Sequence, residues 1–207
     1  MTALGKLSDL VFCNILFCIF SLPVFTIGAS LTALYDCTLS IVDDVEEQLI
    51  FQQFWRAFRQ NFKRATLLWL ICLAAIGLLA LYNWAVSFLS GMMYRTYRVT
   101  FYVLLFLFLA GAQYIFPLQA RYDLSVKATL KNAWLLSAAA LPMTLLALAV
   151  PVLAFYLSFI MNPEAFTIMF FLWVFVVLAV IAYLDSFFYR RAFRKLPQPK
   201  QGPGQTP

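Results

Sequence analysis

The sequence predicts an all-α fold, a polytopic membrane bundle of five transmembrane helices with an amphipathic interfacial helix at the inner face between the first two. Three observations carry this reading. The chain of 207 residues is 64% hydrophobic and only 12% charged, against about 25% charged in soluble domains. Its charged residues cluster, leaving charge-free intervals at 10–35, 65–94, 99–120, 132–163 and 165–184, each as long as the roughly 20 residues a spanning helix needs. No ten-residue apolar–polar alternation marks the strands of a membrane barrel.

The spans are placed at about 10–35, 66–90, 99–120, 134–160 and 165–188, inside a single integral membrane domain covering 1–196. Residues 197–207, rich in Pro, Gln and Gly, read as a disordered cytoplasmic tail. The first span combines a bilayer-length apolar run with Pro23 at its middle, Gly28, and the polar Asn14, Ser21 and Thr26. Pro23 removes a backbone donor and frees a carbonyl, so Ser21, Thr26 or a neighbouring helix should satisfy the break. A kinked helix is the expected outcome, with a true interruption lining a cavity as the alternative. The run follows a single basic residue, Lys6, and its length and proline favour a retained span over a cleaved signal.

Residues 49–64 then read as the interfacial helix. Asp43, Asp44, Glu46 and Glu47 precede it, where acidic side chains suit the positive end of a helix dipole. Phe51, Phe54, Trp55, Phe58 and Phe62 recur at helical spacing, with Arg56, Arg59, Gln60 and Lys63 on the other side. The expected role is an anchor at the inner headgroup boundary, or a docking face for a partner. Span two carries Asn83, and Tyr94, Arg95, Tyr97 and Arg98 sit at the outer turn, as interface residues do. Span three holds Gln113 and Pro117 and delivers Arg121 and Asp123 inside. A second inner segment around 124–134 leads to span four, where residues 137–140 are small and Pro142 and Pro151 allow a bend. Asn162 and Pro163 make the turn into span five.

Twelve of the fifteen Lys and Arg residues fall on the face holding Arg56, Arg121 and Arg190, and only Lys6, Arg95 and Arg98 on the other. Positive residues mark the cytoplasmic side, so a multi-pass membrane protein is expected, with its N-terminus outside and its C-terminus inside. The net charge of +6 is juxtamembrane anchoring, and no nucleic acid partner is implied.

The chain has no histidine, which removes the commonest general base and metal ligand. There is no phosphate-cradling glycine motif, and the four cysteines form no CxxC pair. No enzyme, cofactor or metal is expected. Asp36 and Asp123, each directly after a tyrosine, and Asp185, two residues after Tyr183, end the three helices that run inward. They are juxtamembrane ion-pair partners or, alternatively, a cytoplasmic acidic ring. Asn14, Asn83 and Gln113 are expected to bond between helices.

The blocks Asn14-Ile15-Leu16, Ser21-Leu22-Pro23-Val24-Phe25-Thr26-Ile27-Gly28-Ala29 and Ala33-Leu34-Tyr35 together resemble the opening of the YesL-like family, bacterial integral membrane proteins of unknown function. WRAFRQNFKRA at 55–65 and Leu130-Lys131-Asn132-Ala133 are similar to its later blocks. Members are often encoded beside carbohydrate ABC importers and sensor kinases. The resemblance thus implies a non-catalytic accessory or regulatory protein, with permease subunits or a sensor kinase as partners besides the bilayer. A small oligomeric transporter or channel for a sugar or other small solute is the alternative.

Overall fold

Among the described residues, five helical stretches are long and apolar enough to cross a membrane: Val24–Val42, Ile50–Val86, Gly91–Arg121, Leu141–Ile160 and Phe166–Phe193. The computed structural model describes residues 3–43, 49–160, 164 and 166–193, and every regular element among them is helical. The tail expected at 197–207, the Asn162–Pro163 turn and the acidic residues 44–47 lie outside the described residues.

The first span is interrupted rather than kinked. Helix α1 (Ala3–Phe20) stops before Pro23, a 3-10 turn covers Val24–Thr26, and α2 runs from Ile27 to Val42. The two helices are not collinear. On one continuous helix Cys13 and Cys37 would lie about 36 Å apart, yet both side chains are buried in the same cluster. α1 therefore folds back against α2, and the helical stretch long and apolar enough to cross runs from Val24 to Val42. Both Cys residues, with Ala29, Ala33, Leu34 and Ala179, belong to one buried cluster, where small side chains let helices approach closely.

No separate interfacial helix exists at 49–64. Those residues form the first half of α3, an unbroken helix from Ile50 to Val86. No proline lies within that stretch, and its Gly77 stands in open space, so nothing ends the helix at the inner boundary. Nor is the aromatic stripe a lipid anchor throughout. Phe54 and Phe58 are buried, their rings 5.7 and 5.1 Å from that of Phe20, whereas Phe51 and Trp55 remain exposed.

After a short turn in which Gly91 takes a positive φ of 61°, a conformation glycine adopts without strain, α4 (Gly91–Arg121) returns antiparallel to α3. Their outer halves are joined by Tyr82, whose hydroxyl donates to the Tyr97 carbonyl at 3.1 Å, and by Arg98, which donates to Asn83 Oδ1 at 3.1 Å. Helix α5 (Val126–Ala139) is capped by Ser125. The chain breaks at Ala140 before α6 (Leu141–Phe155), so the expected fourth span at 134–160 is two helices meeting at the small-residue segment. A π-helical turn, Tyr156–Ile160, ends this arm. The last arm comprises α7 (Phe166–Leu172), a second π-helical turn at Trp173–Val177, and α8 (Leu178–Phe193). Leucine, phenylalanine and tryptophan side chains exposed along α3, α4, α6 and α7 form the kind of large apolar surface that lipid covers.

Candidate functional site

Two regions concentrate polar side chains: the interrupted first span, and a cleft at the basic end of the bundle.

At the interruption, the backbone groups released by Pro23 find local partners. Thr26 Oγ1 lies 2.6 Å from both the Phe20 and the Pro23 carbonyls, and the Trp69 indole donates to the Val24 carbonyl at 2.9 Å. Ser21, the other residue expected to do this, leaves its hydroxyl without a partner among the described residues. A Cβ on Gly28 would overlap the Ala65 carbonyl and Trp69 Cβ, so glycine is what brings α2 onto α3. Asn14 is fully buried and reaches the last arm. Its amide donates to the Trp173 carbonyl at 3.2 Å and to that of Val174, while its Oδ1 accepts from the Ala179 backbone N–H at 2.6 Å. Cys18 donates to the same Val174 carbonyl at 3.2 Å. A π-helical turn leaves backbone groups without their α-helical partners, and Asn14 occupies them.

The three aspartates do not form a ring. Asp36 accepts from Gln53 of α3 at 3.1 Å, and Asp123 pairs with Arg64 in an exposed salt bridge. Asp185 turns into the protein, only 3% exposed, with one carboxyl oxygen unpartnered among the described residues. Around it the Tyr35 and Tyr114 rings lie 5.8 and 5.1 Å from Tyr189, and next to it Ser186 bonds Thr38 at 3.1 Å. The carboxylate that gathers inner-end cations is Asp43, expected at the start of a helix and found instead at the C-terminus of α2. It contacts Arg121 at 2.8 Å and Arg190 at 3.0 Å, and Arg190 also donates to the Val42 carbonyl. One acid thus ties the ends of α2, α4 and α8, two cations offsetting its poor placement at the negative end of a helix dipole.

Between α3 and α4 at this end lies a cavity of about 880 Å³. Its walls hold the aromatic Trp55, Phe58 and Phe62, and its charged lining is Arg59, Lys63, Arg64 and Arg121 against Asp123 alone. The polar side of the wall is a chain of bonds absent from the sequence reading. Gln119 donates to Asn61 Oδ1 at 3.2 Å and accepts from Thr129 at 2.9 Å, linking α4 to α3 and α5. Burial holds the Tyr122 hydroxyl above its usual pKa, partly offset by Arg121, so at neutral pH it is a donor. Of the residues expected on the inner face, Trp55, Phe58, Arg59 and Lys63 line this cavity, while Phe54 and Arg56 do not. Of the intramembrane polar residues, Gln113 donates to the Thr144 carbonyl at 3.2 Å.

Among curated proteins, the chain is similar to an uncharacterized protein, YteU, of Bacillus subtilis (strain 168). The two are 29% identical over 141 residues, 68% of this chain and 63% of that protein, so the match spans less than two thirds of the relative's length. No solved structure matches. Residues 10–84, from α1 through the interruption to the outer end of α3, match the family described as protein of unknown function, DUF624, and this match over part of the chain is consistent with the YesL-like resemblance of the sequence.

Proposed function

We propose that this protein is a non-catalytic accessory or regulatory component of a bacterial cell membrane, associated with a carbohydrate importer or its sensing system. The supporting observation is how its intramembrane polar groups are used. Asn14, Thr38, Tyr114 and Gln119 each bond to another helix of the same chain, the arrangement of a scaffold whose polar residues fix helix packing. The cavity of about 880 Å³ is at the basic end, which the positive-inside rule assigns to the cytoplasm together with the C-terminus. There a permease subunit or a sensor kinase would engage it.

A second reading, a small oligomeric transporter or channel, is favoured by one observation: Asp185, a buried carboxyl in an apolar span, is of the kind that marks a path for ions or substrate. The experiment that separates the two is purification in mild detergent from the native host. Stoichiometric recovery of permease or kinase subunits is the expected result. Solute flux in liposomes from the pure protein, without those subunits, would overturn the accessory role in favour of the second reading.

A further inference from the structure

We infer that the cavity between α3 and α4 is a binding site for a phosphate-bearing ligand with an apolar portion. This stands apart from the accessory role and does not depend on it.

The cavity has the volume of a small-molecule site, about 880 Å³, within the range of roughly 300–1,000 Å³ usual for such pockets. Its charge is one-sided. Asp123 engages Arg64 and Asp43 engages Arg121, but among the described residues no carboxylate pairs with Arg59 or Lys63, both exposed at the cavity. A planar guanidinium fork beside a flexible ammonium suits a phosphate, which offers several oxygens to one and a compact charge to the other. On the same helix Trp55, Phe58 and Phe62 supply apolar lining, in which Trp55 and Phe58 stack at 6.0 Å. Gln119 and Asn61, locked to each other, add polar groups at fixed positions.

The site also lies at a defined depth. The charge-free stretch of α3 begins at residue 65 and that of α4 ends at residue 120, and the cavity is lined by residues 55–64 and 119–123. That is the level at which headgroups meet the acyl region. The shared chemistry therefore has two sources, the headgroup of an anionic phospholipid or a soluble organic phosphate.

The test uses the full-length protein in mild non-ionic detergent, titrated with short-chain phosphatidylglycerol, short-chain phosphatidylcholine and phenyl phosphate and read by native mass spectrometry. The expected result is phosphatidylglycerol binding at least about tenfold tighter than phosphatidylcholine, from two cations facing one anion. R59Q/K63Q should lose that preference at unchanged thermal stability, and K127Q/K131Q, which removes two exposed lysines outside the cavity, should keep it. Competition by phenyl phosphate assigns a soluble phosphate; its failure to compete assigns the lipid headgroup. A second measurement needs no charge change: brominated phosphatidylglycerol should quench tryptophan fluorescence in the wild type and less in W55F. The inference is overturned if neither phosphate probe binds, if R59Q/K63Q retains the preference, or if K127Q/K131Q loses it equally.

Discussion

The two halves of α3 differ in charge, and their surroundings are the reverse of what that difference suggests. Over residues 50–72 it is a core element, with Phe54, Ala57, Phe58, Ala65, Leu68 and Cys72 buried. From there to Val86 only the last residue is buried, and Leu78, Leu81 and Trp84 stand out toward lipid. The half richer in charge is the one that packs inside the protein. The reason lies in what each half meets. The first half has α1 and α2 folded against it, whereas beyond the interruption the second half has chiefly α4 to pair with. Burial in this protein follows the neighbours that the broken span provides, not the hydrophobicity of the segment.

That contrast can be broken most strongly at Phe54. Phe54→Ala removes a fully buried ring from between α1 and α3 and should cost about 3–4 kcal/mol, read as a large drop in unfolding temperature in detergent. A loss below about 1 kcal/mol would mean that the first half of α3 is not a core element. Next comes Asn14→Ala, which strands the Ala179 N–H and the carbonyls of the π-helical turn. We expect about 2–3 kcal/mol of destabilisation, with hydrogen exchange accelerating at residues 173–179 before the rest of the last arm. Uniform exchange across that arm would contradict the clamp. The smallest effect is expected in the outer half: Leu81→Ala, at a side chain 62% exposed, should change stability by less than about 0.5 kcal/mol, and a larger change would reveal a protein neighbour in place of lipid.

Much of the topology was legible because charge is costly in a bilayer and so outlines the spans. The site of the interruption was legible too, since Pro23 cannot donate and something nearby must compensate. The fold-back of α1 was not. It depends on Asn14 meeting backbone at residues 173–179, a pairing across the chain that local pattern does not contain. The direction of the aromatic stripe was misread for a physical reason. In water an apolar stripe points inward, but in a membrane protein core and lipid are both apolar, so the spacing of Phe54, Trp55 and Phe58 reveals a stripe without saying which medium it faces. Half of the candidate cavity was visible in Arg59 and Lys63. Gln119 and Asn61 escaped notice because, unlike Asn14, Asn83 and Gln113, they lie at or beyond the end of an apolar stretch, among charged residues where an amide does not stand out.

The π-helical turn at Trp173–Val177 has a geometric consequence for the last arm. A single widened turn accommodates one residue more than α-helical winding would, which rotates everything before it by about 100° relative to everything after it. Beyond the turn, α8 points Ala179, Ala182, Ser186 and Tyr189 into the protein. Continued backwards without the surplus residue, that stripe would bring Phe175 inward at the position four before Ala179, into the space where Asn14 reaches the backbone. Phe175 is instead 47% exposed. The turn thus acts as an angular offset between two otherwise ordinary helices. Deleting one residue from it would re-index α7 against α8 and turn the Trp173 and Val174 carbonyls away from the Asn14 amide.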